Sequence, residues 1–88
     1  MKEIVIVSDS EGIFVGEIPG IVLFSLIDTA GANRVTTFDN EDRAKYYTDT
    51  WNHKTPIHYA EIEVSRSGSA SIEELVEAGL ESLLGYLK

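Results

Sequence analysis

The sequence contains no cysteine. That excludes disulfide stapling, thiolate catalysis and thiolate metal sites, and it fits a reducing compartment. Long apolar runs are missing as well. The densest stretch, Ile21 to Ile27, falls far short of the ~20 residues that a bilayer-spanning helix needs. The start, Met1-Lys2-Glu3-Ile4, lacks a signal-peptide core, because the apolar run Ile4 to Val7 stops at Ser8 and Asp9. The expectation is a complete short gene product that is soluble and cytoplasmic and has no membrane association. Positive charge is scarce too. Seven Lys and Arg stand against fifteen Asp and Glu, for a net charge of −8, so phosphate and anionic lipid are repelled at long range and direct nucleic-acid binding is disfavoured. The same field speeds encounter with a basic protein.

What is present describes an ordinary folded domain. A hydrophobic fraction of 43% separates the chain from disordered acidic tails, and 88 residues suffice for one small core. No repeat or long linker divides it, so residues 1–88 are expected to form a single α+β domain. Residues 3–8 alternate Ile4 and Ile6 with Val5 and Val7, which predicts a central strand or one packed on both faces. Ser8 to Gly12 forms a hairpin loop with Gly12 at positive φ, Ile13 to Ile18 returns, and Gly16 marks a bulge or close approach. Ile18-Pro19-Gly20-Ile21 fits a type II turn. Ile21 to Ile27 suits a buried strand or a short helix, since periodicity does not separate the two. A loop over Asp28 to Asn33 leads to a fourth strand, Arg34 to Phe38.

Asp39 is the expected N-cap of a first helix, with Glu41 and Asp42 in its first turn, where the helix dipole favours them. Ala44, Tyr47 and Trp51 form its buried stripe, and Asn52-His53-Lys54-Thr55-Pro56 ends it. Ile57 to Val64 makes a fifth strand, with Ala60, Ile62 and Val64 inward and Glu61 and Glu63 outward. Ser65 to Ala70 has the composition of a flexible connector. Ser71 and Glu74 form a capping box, and Ile72, Leu75, Val76, Gly79, Leu80, Leu83 and Leu87 give the last helix one apolar face. The predicted architecture is a mainly antiparallel sheet of four or five strands with two helices packed on one face, in the order ββββαβα.

No constellation for chemistry emerges. Asp9 and Glu11, even with Asp28, lack the ligand count and glycine placement of a calcium loop. His53 and His58 lack the spacing and the further ligands of a zinc site, and Asp49 or Ser65 would complete a catalytic group only through an invented geometry. No Gly-rich phosphate loop is present. No metal, no cofactor and no enzymatic activity are expected. Acidity is the distinguishing feature. Glu73, Glu77 and Glu81 recur at i, i+4, i+8, flanked by Glu74, and Lys88 is the one cation of that segment. Like charges at that spacing repel by a few tenths of a kcal/mol. Glu41, Asp42 and Asp49 surround Tyr46, an aromatic expected on an exposed helix face and suited to a binding hot spot.

The opening third, Asp9-Ser10-Glu11-Gly12-Ile13-Phe14 through Ile18-Pro19-Gly20 to Asp28-Thr29, resembles the D-x-D-G-x-Y hairpin and P-G turn of HicB-type antitoxins. Their D-T-x-E-E-A helix start is replaced here by Ala30-Gly31-Ala32-Asn33, and the likeness covers under half of the chain. It implies an antitoxin-like or regulatory homodimer. In size, charge and lack of an active site the chain is similar to the small acidic inhibitors that phages encode, anti-CRISPR and nucleic-acid-mimic proteins among them. The leading expectation is a non-enzymatic module that binds a protein with a basic surface through Glu73, Glu74, Glu77, Glu81, Glu41, Asp42, Tyr46 and Asp49. The alternatives are the homodimer and a small hydrolase.

Overall fold

A computed structural model describes residues 1–27, 29, 31–51 and 55–87. Among the described residues the elements in chain order are β1 (Lys2–Ser8), β2 (Gly12–Ile18), β3 (Ile21–Phe24), β4 (Arg34–Thr36), α1 (Glu41–Thr48), β5 (His58–Glu63), β6 (Ser69–Ser71), α2 (Ile72–Glu77) and a 3-10 turn, Glu81–Leu83. The fold is α+β. Four antiparallel strands form one sheet in the order β3-β2-β1-β5, and β4 and β6 form a second sheet.

β1 is the centre of the molecule because both of its faces are apolar. Ile4 and Ile6 pack with Phe14, Phe24 and Ala44, while Val5 and Val7 pack with Ile13, Val35, Ile62, Ala70, Leu75 and others. Burying each of the larger of these side chains, the valines, isoleucines, leucine and phenylalanines, contributes about 1.5–3 kcal/mol. Ala44 belongs to α1 and Leu75 to α2, so the helices cover opposite sides of β1. The expectation of two helices on one face is thereby corrected. Residues that alternate along a strand point to opposite sides of its sheet, and a strand apolar on both sides needs a cover on each.

The hairpin chemistry falls where the sequence puts it. Gly12 has φ +99°, Gly20 has φ +82°, and the β2–β3 register slips between Phe14 and Gly16 as expected for a bulge. A Cβ at Gly12 would lie 2.8 Å from the Leu26 nitrogen and 2.9 Å from the Leu83 carbonyl oxygen, so this turn is also a packing joint. Residues 21–24 are strand, with a turn after Phe24. The remaining differences are local. Asn40, not Asp39, caps α1, its Oδ1 accepting the Arg43 N–H at 2.9 Å, and Asp39 lies 3.8 Å from the Arg43 guanidinium. β4 is shorter than expected and pairs with β6, which begins within the stretch expected as a connector and runs into Ser71, while Phe38 bridges to Ile4.

The last helix is also shorter than its apolar pattern. α2 stops at Glu77 with Ala78 as C-cap. The Leu80 N–H bonds the Leu75 carbonyl and the Gly79 N–H the Val76 carbonyl, each at 3.0 Å, and Gly79 has φ +83°. Those are the paired bonds of a Schellman ending. Leu80, Leu83 and Leu87 still reach the core on the α2 side, but from a turn rather than from a helix. The loop residues Asp28 and Ala30, the expected helix end at 52–54, and Lys88 lie outside the described residues.

Candidate protein-binding surfaces

The acidic residues of α2 divide into one that is built into the fold and others that are not. Ser71 Oγ accepts the Glu74 N–H at 3.2 Å, and Glu74 Oε1 accepts the Ser71 N–H at 2.8 Å. Glu74 Oε2 also accepts the Ser65 N–H, and Arg34 Nη2 lies 3.9 Å from the carboxylate. The Ser71 N–H bond, with that of Ser65 and against the opposing effect of burial, holds its carboxyl below the ordinary value. Glu74 is therefore a structural joint, and a cation stands beside it. Glu73 and Glu77 are exposed one turn apart on α2, and neither is in an ion pair among the described residues. Glu81 is exposed too, but it starts the 3-10 turn beyond Gly79. The expected i, i+4, i+8 stripe is thus a helical pair plus a separate carboxylate, because the left-handed Gly79 redirects the chain.

A recess of about 340 Å³ lies beside this pair, lined by Glu63, Val64, Ser65, Glu74, Glu77 and Ala78. It brings Glu63 at the end of β5 next to the α2 carboxylates. Glu63 accepts a hydrogen bond from the Met1 ammonium, which lowers its pKa.

The remaining candidate residues belong to α1. Glu41 Oε2 is 2.9 Å from Lys45 Nζ, an i, i+4 ion pair in the favourable orientation, and that bond raises the lysine pKa. Asp42 and Asp49 are exposed with no ion pair among the described residues, and Asp49 is the C-cap of α1. Tyr46 is 79% exposed, as its helix face predicts. Tyr47 turns inward, its ring 5.7 Å from Phe14 and 5.3 Å from Phe38. Its hydroxyl donates to Glu17 Oε1 at 2.6 Å, and burial, with the Glu17 carboxylate adding to it, pushes the phenol up to about 12.

The eight expected residues divide between the two helices, on opposite sides of β1: Glu73, Glu77 and Glu81 lie with α2 beside the structural Glu74, and Glu41, Asp42, Tyr46 and Asp49 lie with α1. Sequence reasoning missed Glu17 and Phe38, which complete the α1 surface. β2 brings Glu17 to Tyr47 across 30 positions, and nothing local to either residue marks the pairing.

Among the described residues the nearest approach to a hydrolytic arrangement is His58 Nδ1 at 4.0 Å from Asp9 Oδ1, both side chains exposed. Among the described residues no hydroxyl is hydrogen-bonded to that imidazole, and no three of His, Asp and Glu converge as a metal site. Asp49 and Ser65 belong to the two different surfaces, and His53 lies outside the described residues. No described helix is long and apolar enough to cross a membrane. No protein family, no curated protein and no solved structure matches the chain.

Proposed function

We propose that the chain is a non-enzymatic acidic protein-binding module, an inhibitor that docks on a basic, nucleic-acid-binding protein in the cytoplasm, in the manner of small phage-encoded anti-CRISPR inhibitors. The observation that carries this reading is the exposed pair Glu73 and Glu77, extended by Glu81, with no ion-pair partner among the described residues. Carboxylates that repel one another in the free protein are relieved when a cationic surface covers them. The −8 net charge steers a basic partner toward the molecule and keeps phosphate away. The interaction needs no cofactor.

Affinity capture from host lysate, with the wild type and with Glu73→Lys/Glu77→Lys/Glu81→Lys as baits, tests the reading. The wild type should retain a basic nucleic-acid-binding protein, and the variant should bind it at least tenfold more weakly with a flatter dependence on salt. Capture of the same protein with unchanged affinity overturns the proposed surface.

A second reading, an antitoxin-like homodimer, is favoured by one feature. Ile18 and Ile21 face each other at the tip of the β2–β3 hairpin and are 49% and 52% exposed. Sedimentation at micromolar concentration decides it, because a strict monomer removes the dimer.

A further inference from the structure

The α1 surface carries an inference that rests on the reading of the chain as a protein-binding module but uses a different face and a different chemistry. Two recesses adjoin there. One, of about 420 Å³, includes Phe14, Glu17, Ile18, Thr36, Phe38 and Tyr47 in its lining. The other, of about 430 Å³, is lined by Phe38, Asp42, Arg43, Tyr46 and Tyr47. Both fall within the roughly 300–1,000 Å³ of small-ligand sites. Phe38 and Tyr47 belong to both, with ring centroids 5.3 Å apart and planes at 43°, so an aromatic pair forms the divide between them. Each recess has one carboxylate at an aromatic wall, Glu17 in the first and Asp42 in the second. Glu17 is already oriented, since the Tyr47 hydroxyl bonds its Oε1, and no described group bonds its Oε2. The lone cation of the lining, Arg43, is exposed and lies 3.8 Å from Asp39.

An aromatic face beside a carboxylate matches one side chain above others. A guanidinium stacks on the ring, is attracted by its quadrupole, and donates two parallel N–H bonds to the carboxylate. Lysine has the charge but neither the plane nor the fork. Phosphate-bearing ligands are repelled by the same carboxylates and by the −8 of the whole chain, and a second copy brings that repulsion with it. We propose that the adjoining recesses bind an extended, arginine-bearing segment of a basic partner protein, with one guanidinium against Tyr47 and Glu17 and the next against Tyr46 and Asp42 across the Phe38–Tyr47 divide.

The test uses a capped peptide, Gly-Arg-Leu-Arg-Gly, with lysine and citrulline versions, titrated into the isotopically labelled whole chain and followed through its amide resonances. Saturable shifts are expected on Glu17, Phe38, Asp42, Tyr46 and Tyr47, with the lysine peptide severalfold weaker and the citrulline peptide about tenfold weaker or worse. Tyr46→Ala and Asp42→Asn, both exposed positions, should each weaken the arginine peptide about tenfold while the remaining spectrum keeps its native dispersion. The charge-reversed α2 variant should bind the peptide within about twofold of wild type, because its changes lie on the other side of β1. The α2 surface and the recesses thus stand or fall separately. Equal binding of the citrulline peptide, shifts confined to α2, or a dimer that Tyr46→Ala dissociates would each overturn the proposal.

Discussion

The Glu3 carboxylate accepts the Gly68 backbone N–H at 2.9 Å, joining the first strand to the turn before β6. The Ser67 hydroxyl donates to Glu3 Oε2, and the Thr37 hydroxyl donates to Glu3 Oε1. Glu3 lies on the Val5 side of β1 and is only 4% exposed. A carboxylate is tolerated there because donors replace its water. Burial pushes its pKa up, but the Gly68 N–H and the two hydroxyls, with the N-terminal charge, outweigh it and leave the pKa below the ordinary value.

That relationship predicts an acid-sensitive fold. A carboxyl whose pKa is lower folded than unfolded contributes stability above its unfolded value, near 4.5, and loses it as the pH falls through the folded value. Glu74 adds to the same limb, its pKa also being lowered. Glu3→Gln should cost about 1–3 kcal/mol at neutral pH and make the decline below pH 4.5 shallower, leaving the part due to the other lowered carboxyls, Glu74 and Glu63. Urea unfolding across that range measures both effects, and an unchanged acid limb would contradict the role given to Glu3.

Ser25 is fully buried and ties the β2–β3 region to the end of the chain. Its Oγ accepts the Ile13 N–H at 2.9 Å and donates to the Leu83 carbonyl, while its own carbonyl accepts the Tyr86 N–H at 2.9 Å. Ser25→Ala strands the buried Ile13 N–H and the part-buried Leu83 carbonyl, which should cost about 1–3 kcal/mol. Residues 81–87 should open first, seen as faster amide exchange there than in β1.

Tyr47 should ionise only at strongly alkaline pH. Its phenol lies at about 12, raised by burial first and then by the Glu17 carboxylate. Glu17→Ala should lower that value part of the way toward 10.0, because burial, the larger cause, remains. Phenolate absorbance over an alkaline titration, with Tyr47→Phe to assign the transition, reads the shift. A value that does not move would show that Glu17 has no hold on the ring.

Gly79→Ala should destabilise the protein by about 1 kcal/mol, the usual cost of forcing a side chain into the left-handed region. Nothing lies within 4 Å of a Cβ placed there, so the cost is conformational alone. Gly12→Ala should cost clearly more, because it meets the same strain and the Leu26 and Leu83 backbone as well. Thermal melts of the two variants side by side test the ordering.

Local chemistry made part of this molecule legible. Gly12, Gly20 and the Gly16 bulge, the two-faced β1, the Ser71–Glu74 capping box and the exposed Tyr46 each follow from a residue and its near neighbours. The Ser/Gly stretch before α2 did not disclose β6, because a strand with so little apolar content exists only where β4 lies opposite it. The continuous apolar period through Leu87 overstated α2. Those leucines are half-buried against the core, but periodicity does not record that Gly79 has turned the chain out of the helix.

The sequence by itself determined the charge, the Gly12 and Gly20 turns, the Ser71–Glu74 capping box and the two apolar faces of β1, since these depend on side chains a few positions apart. Tertiary structure alone decided that the helices take opposite faces and that the acidic residues form two surfaces. It also decided that Glu3 meets Gly68 and that Glu17 meets Tyr47. Each of those relationships joins groups far apart in the chain, and the energy that fixes them is gained only when the strands between them are paired and the core is closed.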